Sequence, residues 1–297
     1  VEITFQSESG VSYDIERSAS ISAPVWSVMD TVVASGVSTT WTAVGATSEA
    51  YYRVTSAGGP SPNEAGILPV TVIGRSGAET IQLAMLGNAL APMGGSTIQD
   101  VIGWQMTGGG SELASDNVWK WDVPTQGYET NWLFVGGSPT FDGTWILGGA
   151  PSATDLPRGQ GLWARSRQTI DQTILLDGEV PRTTETSHSI TAGAGIVLHQ
   201  LNPGYPVGIP LDEPNTTLWA DGATGGSGEL TADNVWSWVP ATDGYRTTWL
   251  FVGGSPTFDG TWIEGGAPTT LVIDPGAGIW YRHRGGAGWT WTCPVPY

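Results

Sequence analysis

Shifting this 297-residue chain by 117 positions lays Glu112–Pro151 on Glu229–Pro268 without a gap, and 30 of the 40 aligned residues are identical. The run Trp132–Ile146 recurs letter for letter at Trp249–Ile263. A duplication on this scale restricts the fold more than any single motif does. Whatever the block builds, the chain builds twice, and a unit near 117 residues has the size of a domain, not of a solenoid repeat. The same offset pairs Gly159, Gly161, Trp163, Arg165 and Arg167 with Gly276, Gly278, Trp280, Arg282 and Arg284, so each copy extends past the identical block.

Within the copies, Val118–Val123, Tyr128–Val135, Thr144–Leu147 and Leu162–Arg167 read as strands bounded by Gly, Pro, Asn and Asp turns. Only Ser96–Gly103 looks helical, and briefly. Residues 1–56 lie outside the repeat. Val1, Ile3 and Phe5 alternate with polar residues, and Tyr13 and Ile15 alternate again after Ser9-Gly10, which predicts a hairpin. The expected architecture is all-β, with tandem β-sandwich or jelly-roll-like modules over 1–56, 57–177 and 178–297.

Gly and Pro supply 63 residues, yet 16 Trp, 8 Tyr and 5 Phe provide apolar surface that disordered low-complexity chains lack. Eleven Lys plus Arg against 28 Asp plus Glu leave a formal charge of −17, a field that repels phosphate backbones and anionic lipid. Nucleic acid is thereby excluded as a partner. No run of eighteen apolar residues exists, so no membrane span is expected. Dense Thr, Ser and Gly, a single lysine (Lys120) and a single cysteine (Cys293) fit an exported protein, extracellular or at the cell surface as a mature chain after signal removal.

Residues Gly10–Ser18, Trp26 and Tyr51-Tyr52-Arg53-Val54 resemble the fibronectin-III-like modules of secreted proteins from environmental bacteria. The duplicated unit is similar to a Trp/Gly-rich tandem domain of the same kind of exported protein, on Asp116–Trp121, Gly127-Tyr128 and Gly159–Trp163. The resemblance implies a surface or fibre component. It brings no catalytic residue with it, because these motifs are turns and core tryptophans.

The residues that invite a chemical role each have a plainer one. Trp119 and Trp121, like Trp236 and Trp238, stand at i and i+2 and so share one face of a strand, where they stack sugar rings or fill a core. Gly159–Ala164 satisfies G-x-G-x-x-A, but it runs into an alternating segment and not a helix, which reads as a tight turn. Asp142 and Asp259, and Asp116 and Asp233, recur in identical contexts, as turn residues do; the spaced Ca²⁺ loop is missing. His188, His199 and His283 lack metal-ligand spacing, no nucleophile elbow occurs, and no cofactor is expected. Cys293 is read as free or as an intermolecular bridge, and Asn215-Thr216-Thr217 is the one N-glycosylation sequon.

The expectation for function is a non-enzymatic structural subunit that self-assembles into an extracellular fibre, pilus-like appendage or surface layer. Val1, Ile3 and Phe5 would anchor a donor strand, with Trp289 and Trp291 as an opposing surface. The competing arrangement is that the first strand pairs within its own module. The alternative function is tandem carbohydrate binding, in which Trp119, Trp121, Trp236 and Trp238 stack sugars while Asp142, Asp259, Asn117 and Asn234 bond hydroxyls. Glycans, bound or covalent, are the partners besides other copies of the chain; a glycosidase ranks last.

Overall fold

The computed structural model describes residues 2–43, 48–61, 63–75, 82–212 and 214–297, and over these the chain is all-β with two four-residue helices. The N-terminal part forms β1 (Glu2–Gln6), β2 (Ser12–Ser18), β3 (Ser27–Val33), β4 (Ser38–Thr42), β5 (Ala50–Ser56) and β6 (Gly59–Pro60). The expected β1–β2 hairpin does not form. Instead β1 pairs with β4, placing Ile3 opposite Trp41, while β2 lies between β3 and β5. The connection after β1 is drawn to the β3–β4 loop, where Ser7 N donates to Val37 O and Gly10 N to Ala34 O, and this lifts β1 into a second layer. Alternation specifies which face a strand buries and not which strand it pairs with. Ile3 from one layer and Ile15, Tyr52 and Ile67 from the other still meet in one core.

Copy one contributes β7 (Ala65–Val72), β8 (Leu83–Gly87), α1 (Ile98–Val101), β9 (Asn117–Asp122), β10 (Gly127–Phe134), β11 (Thr144–Leu147), β12 (Ala150–Pro151), β13 (Gly161–Arg165) and β14 (Gln172–Glu179). Six of these strands make a sheet ordered β12-β11-β10-β9-β13-β8. The other two join the N-terminal strands in a sheet ordered β14-β7-β5-β2-β3. Between these sheets lies the largest core, built on Leu68, Val70, Leu86, Val118, Leu133 and Trp145 and closed by Ile98, Val101 and Ile102 around α1. Thr97 and Asp100 cap α1 reciprocally, side chain to backbone in both directions, which is what allows four residues to hold a helical turn.

Copy two contributes β15 (Thr186–Ile190), β16 (Val197–Leu201), β17 (Ile209–Pro210), α2 (Leu218–Asp221), β18 (Asn234–Val239), β19 (Gly244–Phe251), β20 (Thr261–Glu264), β21 (Ala267–Pro268), β22 (Val272–Ile273), β23 (Ile279–His283) and β24 (Trp289–Cys293). Its main sheet, β16-β23-β18-β19-β20-β21, repeats that of copy one. The β15–β24 pair repeats β7–β14 but carries no further strands among the described residues. The boundaries drawn after residues 56 and 177 do not separate sheets. β5 pairs with β7 across the first, and β14 runs through the second to Glu179.

Candidate functional site

The two copies pack against each other through the faces that carry the Trp-x-Trp pairs. Trp121 Nε1 donates to Leu198 O at 2.8 Å, and Trp238 Nε1 donates to Leu83 O at 2.7 Å. Trp121 meets Trp280 edge-on with centroids 5.1 Å apart; Trp163 meets Trp238 edge-on, also at 5.1 Å. Each contact occurs twice with the copies exchanged, which is the signature of a two-fold interface, here inside one chain. Edge-to-face rings of this spacing add about 0.5–1.5 kcal/mol per pair to the burial itself.

Trp119 and Trp236 belong to the same cluster, and the guanidinium groups of Arg165 and Arg282 lie over their rings at 4.9 and 4.7 Å. The four indoles proposed as an open sugar platform are therefore half-buried between the copies, their rings engaged by tryptophan, tyrosine or arginine. The hydroxyl-bonding partners of that alternative are engaged as well. Asp142 accepts from the backbone N–H groups of Gly136, Gly137 and Ser138, and Asp259 repeats this with Gly253, Gly254 and Ser255. Asn117 accepts from Arg165, and Asn234 from Arg282 at 2.6 Å.

The G-x-G segments serve the same junction. Asn202 N donates to Gly159 O at 2.8 Å and Gly87 N to Gly276 O at 2.7 Å. Gly161 and Gly278 then lie so near the other copy that a methyl on either would come within 2.7 Å of Leu201 N or 2.4 Å of Leu86 O. These glycines admit a neighbouring backbone, not a pyrophosphate.

Asp116 and Asp233 are fully buried. Asp116 accepts from Thr107 N, Arg167 N and the Gln172 amide, all neutral donors. Asp233 accepts from Thr224 N, Arg284 N, Tyr281 Oη at 2.6 Å and His283 Nδ1 at 3.0 Å. His283 Nε2 faces Ala287 O at 3.0 Å, and Nδ1 faces the Asp233 carboxylate and, at 3.4 Å, the Gly285 N–H; protonation of the ring would place a positive charge between the two oxygens. Burial works against that charge, but the Asp233 carboxylate outweighs it and raises the His283 pKa. Burial also drives the Tyr281 hydroxyl well above its ordinary value, with Asp233 adding to it.

His188 and His199 behave oppositely. Burial pushes both down to about 4, against opposing hydrogen bonds to the Asn202 and Thr191 backbone respectively, and neither Nε2 has a partner among the described residues. Among the described residues no three His, Cys, Asp or Glu side chains are grouped to hold a metal ion.

Of the expected assembly residues, Val1 lies outside the described residues. Ile3 is buried and Phe5 half-buried beneath β1, 5.2 Å from the Tyr13 ring. The opposing surface of Trp289 and Trp291 is not formed. Trp291 is fully buried in the second core, stacked on His188 and bonded to Thr216 O, while Trp289 packs half-buried against Tyr281 and Gly222. β24 pairs with β15, and both rings pack on the chain's own second core. Cys293 is likewise buried, its thiol pushed up to about 12 by burial, and so is unavailable for an intermolecular bridge in this fold.

The surface that sequence reasoning missed is the edge of the N-terminal sheet. Among the described residues β3 pairs only with β2, and Val28, Met29 and Val33 on it are 56%, 54% and 63% exposed. Val25 and Val37, at its two ends, are more exposed still. The far edge of the same sheet is guarded: the Gln105 amide accepts from Leu175 N and donates to Leu175 O on β14, filling the place of another strand. A second open edge belongs to β1. It borders a groove of about 620 Å³ lined by Ile3–Gln6, Tyr13, Tyr52 and Val54. Since β4 lies over β3 through the Trp41 Nε1–Asp30 bond and the groove beside β1 is lined from β5 and β7, the outer edges of β3 and β1 face opposite flanks of this module. Val28, Val32 and Val33 are β-branched, as a strand favours, but an edge position leaves no mark in the sequence.

No helix among the described residues is long and apolar enough to cross a membrane. No protein-family model, curated protein or solved structure matches this chain.

Proposed function

We propose that this chain is a non-enzymatic, extracellular structural subunit that assembles head to tail with further copies of itself, the β3 edge of one copy lying along the open β1 edge of the next. The observation that carries this reading is the contrast between the outer edge of β3, unpaired among the described residues and bearing exposed Val28, Met29 and Val33, and the outer edge of β14, where Gln105 occupies the backbone groups of Leu175. Natural sheets avoid exposed apolar edges unless another chain covers them. Strand addition supplies main-chain hydrogen bonds, and the groove under β1 supplies room for the side chains. Because the two edges differ and face opposite flanks, the contact is heterologous and does not close, which yields a filament.

The internal two-fold packing supports the same reading, since it makes the duplicated body a rigid spacer behind the joint. The carboxylates that a hydrolase would use are committed to backbone N–H groups or fully buried. Carbohydrate binding by the Trp-x-Trp pairs has less support, their faces being occupied.

Negative-stain imaging and light scattering across concentration test the proposal. Filaments are expected for the native chain, and a single-particle population for Val28→Lys/Val33→Lys, whose charges sit on exposed positions and leave the fold intact. A native chain that stays monomeric at every concentration, or a double variant that still polymerises, overturns it.

A further inference from the structure

We infer that Trp104 and Trp219 are two copies of one carbohydrate-stacking platform, each taking the apolar face of a neutral pyranose ring. This is independent of the assembly reading, because it uses neither β1 nor β3. A shift of 115 residues, the one that also lays β8 on β16, brings Trp104 onto Trp219. Their local backbones have since diverged: Trp104 follows α1, whereas Trp219 lies within α2. Both indoles nevertheless cover the glycine of the Phe-Asp-Gly turn in their own copy. A methyl on Gly143 would fall 1.4 Å from Trp104 Cζ2, and one on Gly260 would fall 2.0 Å from Trp219 Cζ3. Only a glycine can sit under a ring at that distance, and at φ +79° and +84° the turn favours glycine in any case.

The support under each ring is stiff. Asp142 and Asp259 each hold three consecutive backbone N–H groups of the preceding Gly-Gly-Ser loop, which fixes the turn on which the indole rests. With one side seated, the indoles remain 63% and 43% exposed, unusual for the residue with most to gain from burial.

Size and charge decide what fits. A single indole offers at most about 250 Å², well short of the ~800 Å² per partner that a stable protein contact buries, but matched to one sugar ring. The net charge of −17 disfavours anionic ligands such as nucleotides and acidic glycans, and an exposed indole face suits an uncharged ring. Two such platforms on one body suit a polymer with many identical rings.

The test uses the full chain with three neutral probes: insoluble chitin, insoluble cellulose and soluble galactomannan in native gels. Retention by at least one is expected. Trp104→Ala and Trp219→Ala should each weaken it about tenfold, and the double variant should lose it, with unchanged thermal melting. Oxidation by N-bromosuccinimide supplies a readout that does not depend on variants: Trp104 and Trp219 should react first and be protected by the retaining glycan. No retention by any probe, a double variant retained like the native chain, or oxidation of these two residues unaffected by glycan overturns the inference.

Discussion

The two copies solve one folding problem with different interiors. In copy one the buried Asp116 is met by neutral donors, and the core above it is filled by Ile98, Val101 and Ile102 around α1. In copy two Ala164 has become Tyr281, Ser166 has become His283 and Gln172 has become Trp289; rings from β23 and β24 fill the space and His283 pairs with Asp233. Ala84 has likewise become His199 at the 115-residue shift, so all three histidines of the chain lie in copy two. The segment from β10 to β11 hardly changed, Trp132–Ile146 being identical to Trp249–Ile263. A sheet framework this closely kept tolerates a change from an aliphatic to an aromatic and ionisable core, provided that volume is conserved and each buried carboxylate keeps its donors.

Acid separates the copies most strongly. The folded state keeps His188 and His199 neutral down to about pH 4, whereas the unfolded chain takes up these protons near 6.5. Stability from these rings is therefore fully present above pH 6.5 and declines as pH falls toward 4, by about 3 kcal/mol for each. His283 has the opposite sign. Its raised pKa gives a contribution that is complete below 6.5 and is lost as pH rises through the folded value. Hydrogen exchange at pH 4.5 and 7.5 is expected to show β15 and β16 losing protection in acid well before β7 and β8. His199→Ala, which installs the residue of copy one, should lower the acid midpoint. Equal acid sensitivity of the two copies would remove the distinction.

The buried carboxylates give the next contrast. Asp233→Ala takes the shared acceptor from His283 Nδ1, Tyr281 Oη and the Thr224 and Arg284 N–H groups and removes the carboxylate that favours a protonated ring; breaking one side of a buried charged pair costs about 3–5 kcal/mol. Asp116→Ala strands only N–H and amide donors, about 1–3 kcal/mol. Urea denaturation compares them directly. His283→Ser combined with Asp233→Ala should recover part of the loss, and an Asp116 variant as damaged as the Asp233 variant would contradict the coupling of His283 to Asp233.

What could be read in advance follows from which information is local. The strand Thr144–Leu147 was delimited to the residue by Gly143 and Gly148, and the alternation of Ile3 and Phe5 marked a buried face correctly. The partner of that face was not legible, because β1 pairs with β4 over thirty residues away through a loop contact that leaves no periodic trace. Trp121 and Trp238 were seen as same-face pairs, yet nothing in an i, i+2 spacing says that one copy's pair will meet the other copy. Leu218–Asp221 escaped notice as a helix for a physical reason: Thr217 sits at φ +55° and gives no side-chain cap, so the segment lacks the Thr-x-x-Asp signature that marks α1. The G-x-G pair was placed correctly at a turn into a strand, but the cause of its second glycine lies in the opposing copy.

That cause yields the smallest and most symmetrical effect. Gly161→Ala would drive a methyl against the backbone at Leu201 N, and Gly278→Ala would drive one against Leu86 O; neither obstacle is the movable end of a side chain. Each substitution must therefore prise the copies apart by a few tenths of an ångström or more, at about 1–3 kcal/mol. Here the divergent interiors should not matter, and the two variants should lower stability by similar amounts. The Trp121–Trp280 and Trp163–Trp238 pairs report the strain, since splaying the copies changes indole fluorescence in both variants. The double variant should lose less than the sum of the singles, because the first opening of the junction relieves the clash at the second position. Strictly additive losses, or a large effect from one glycine alone, would mean that the copies do not meet as a two-fold pair.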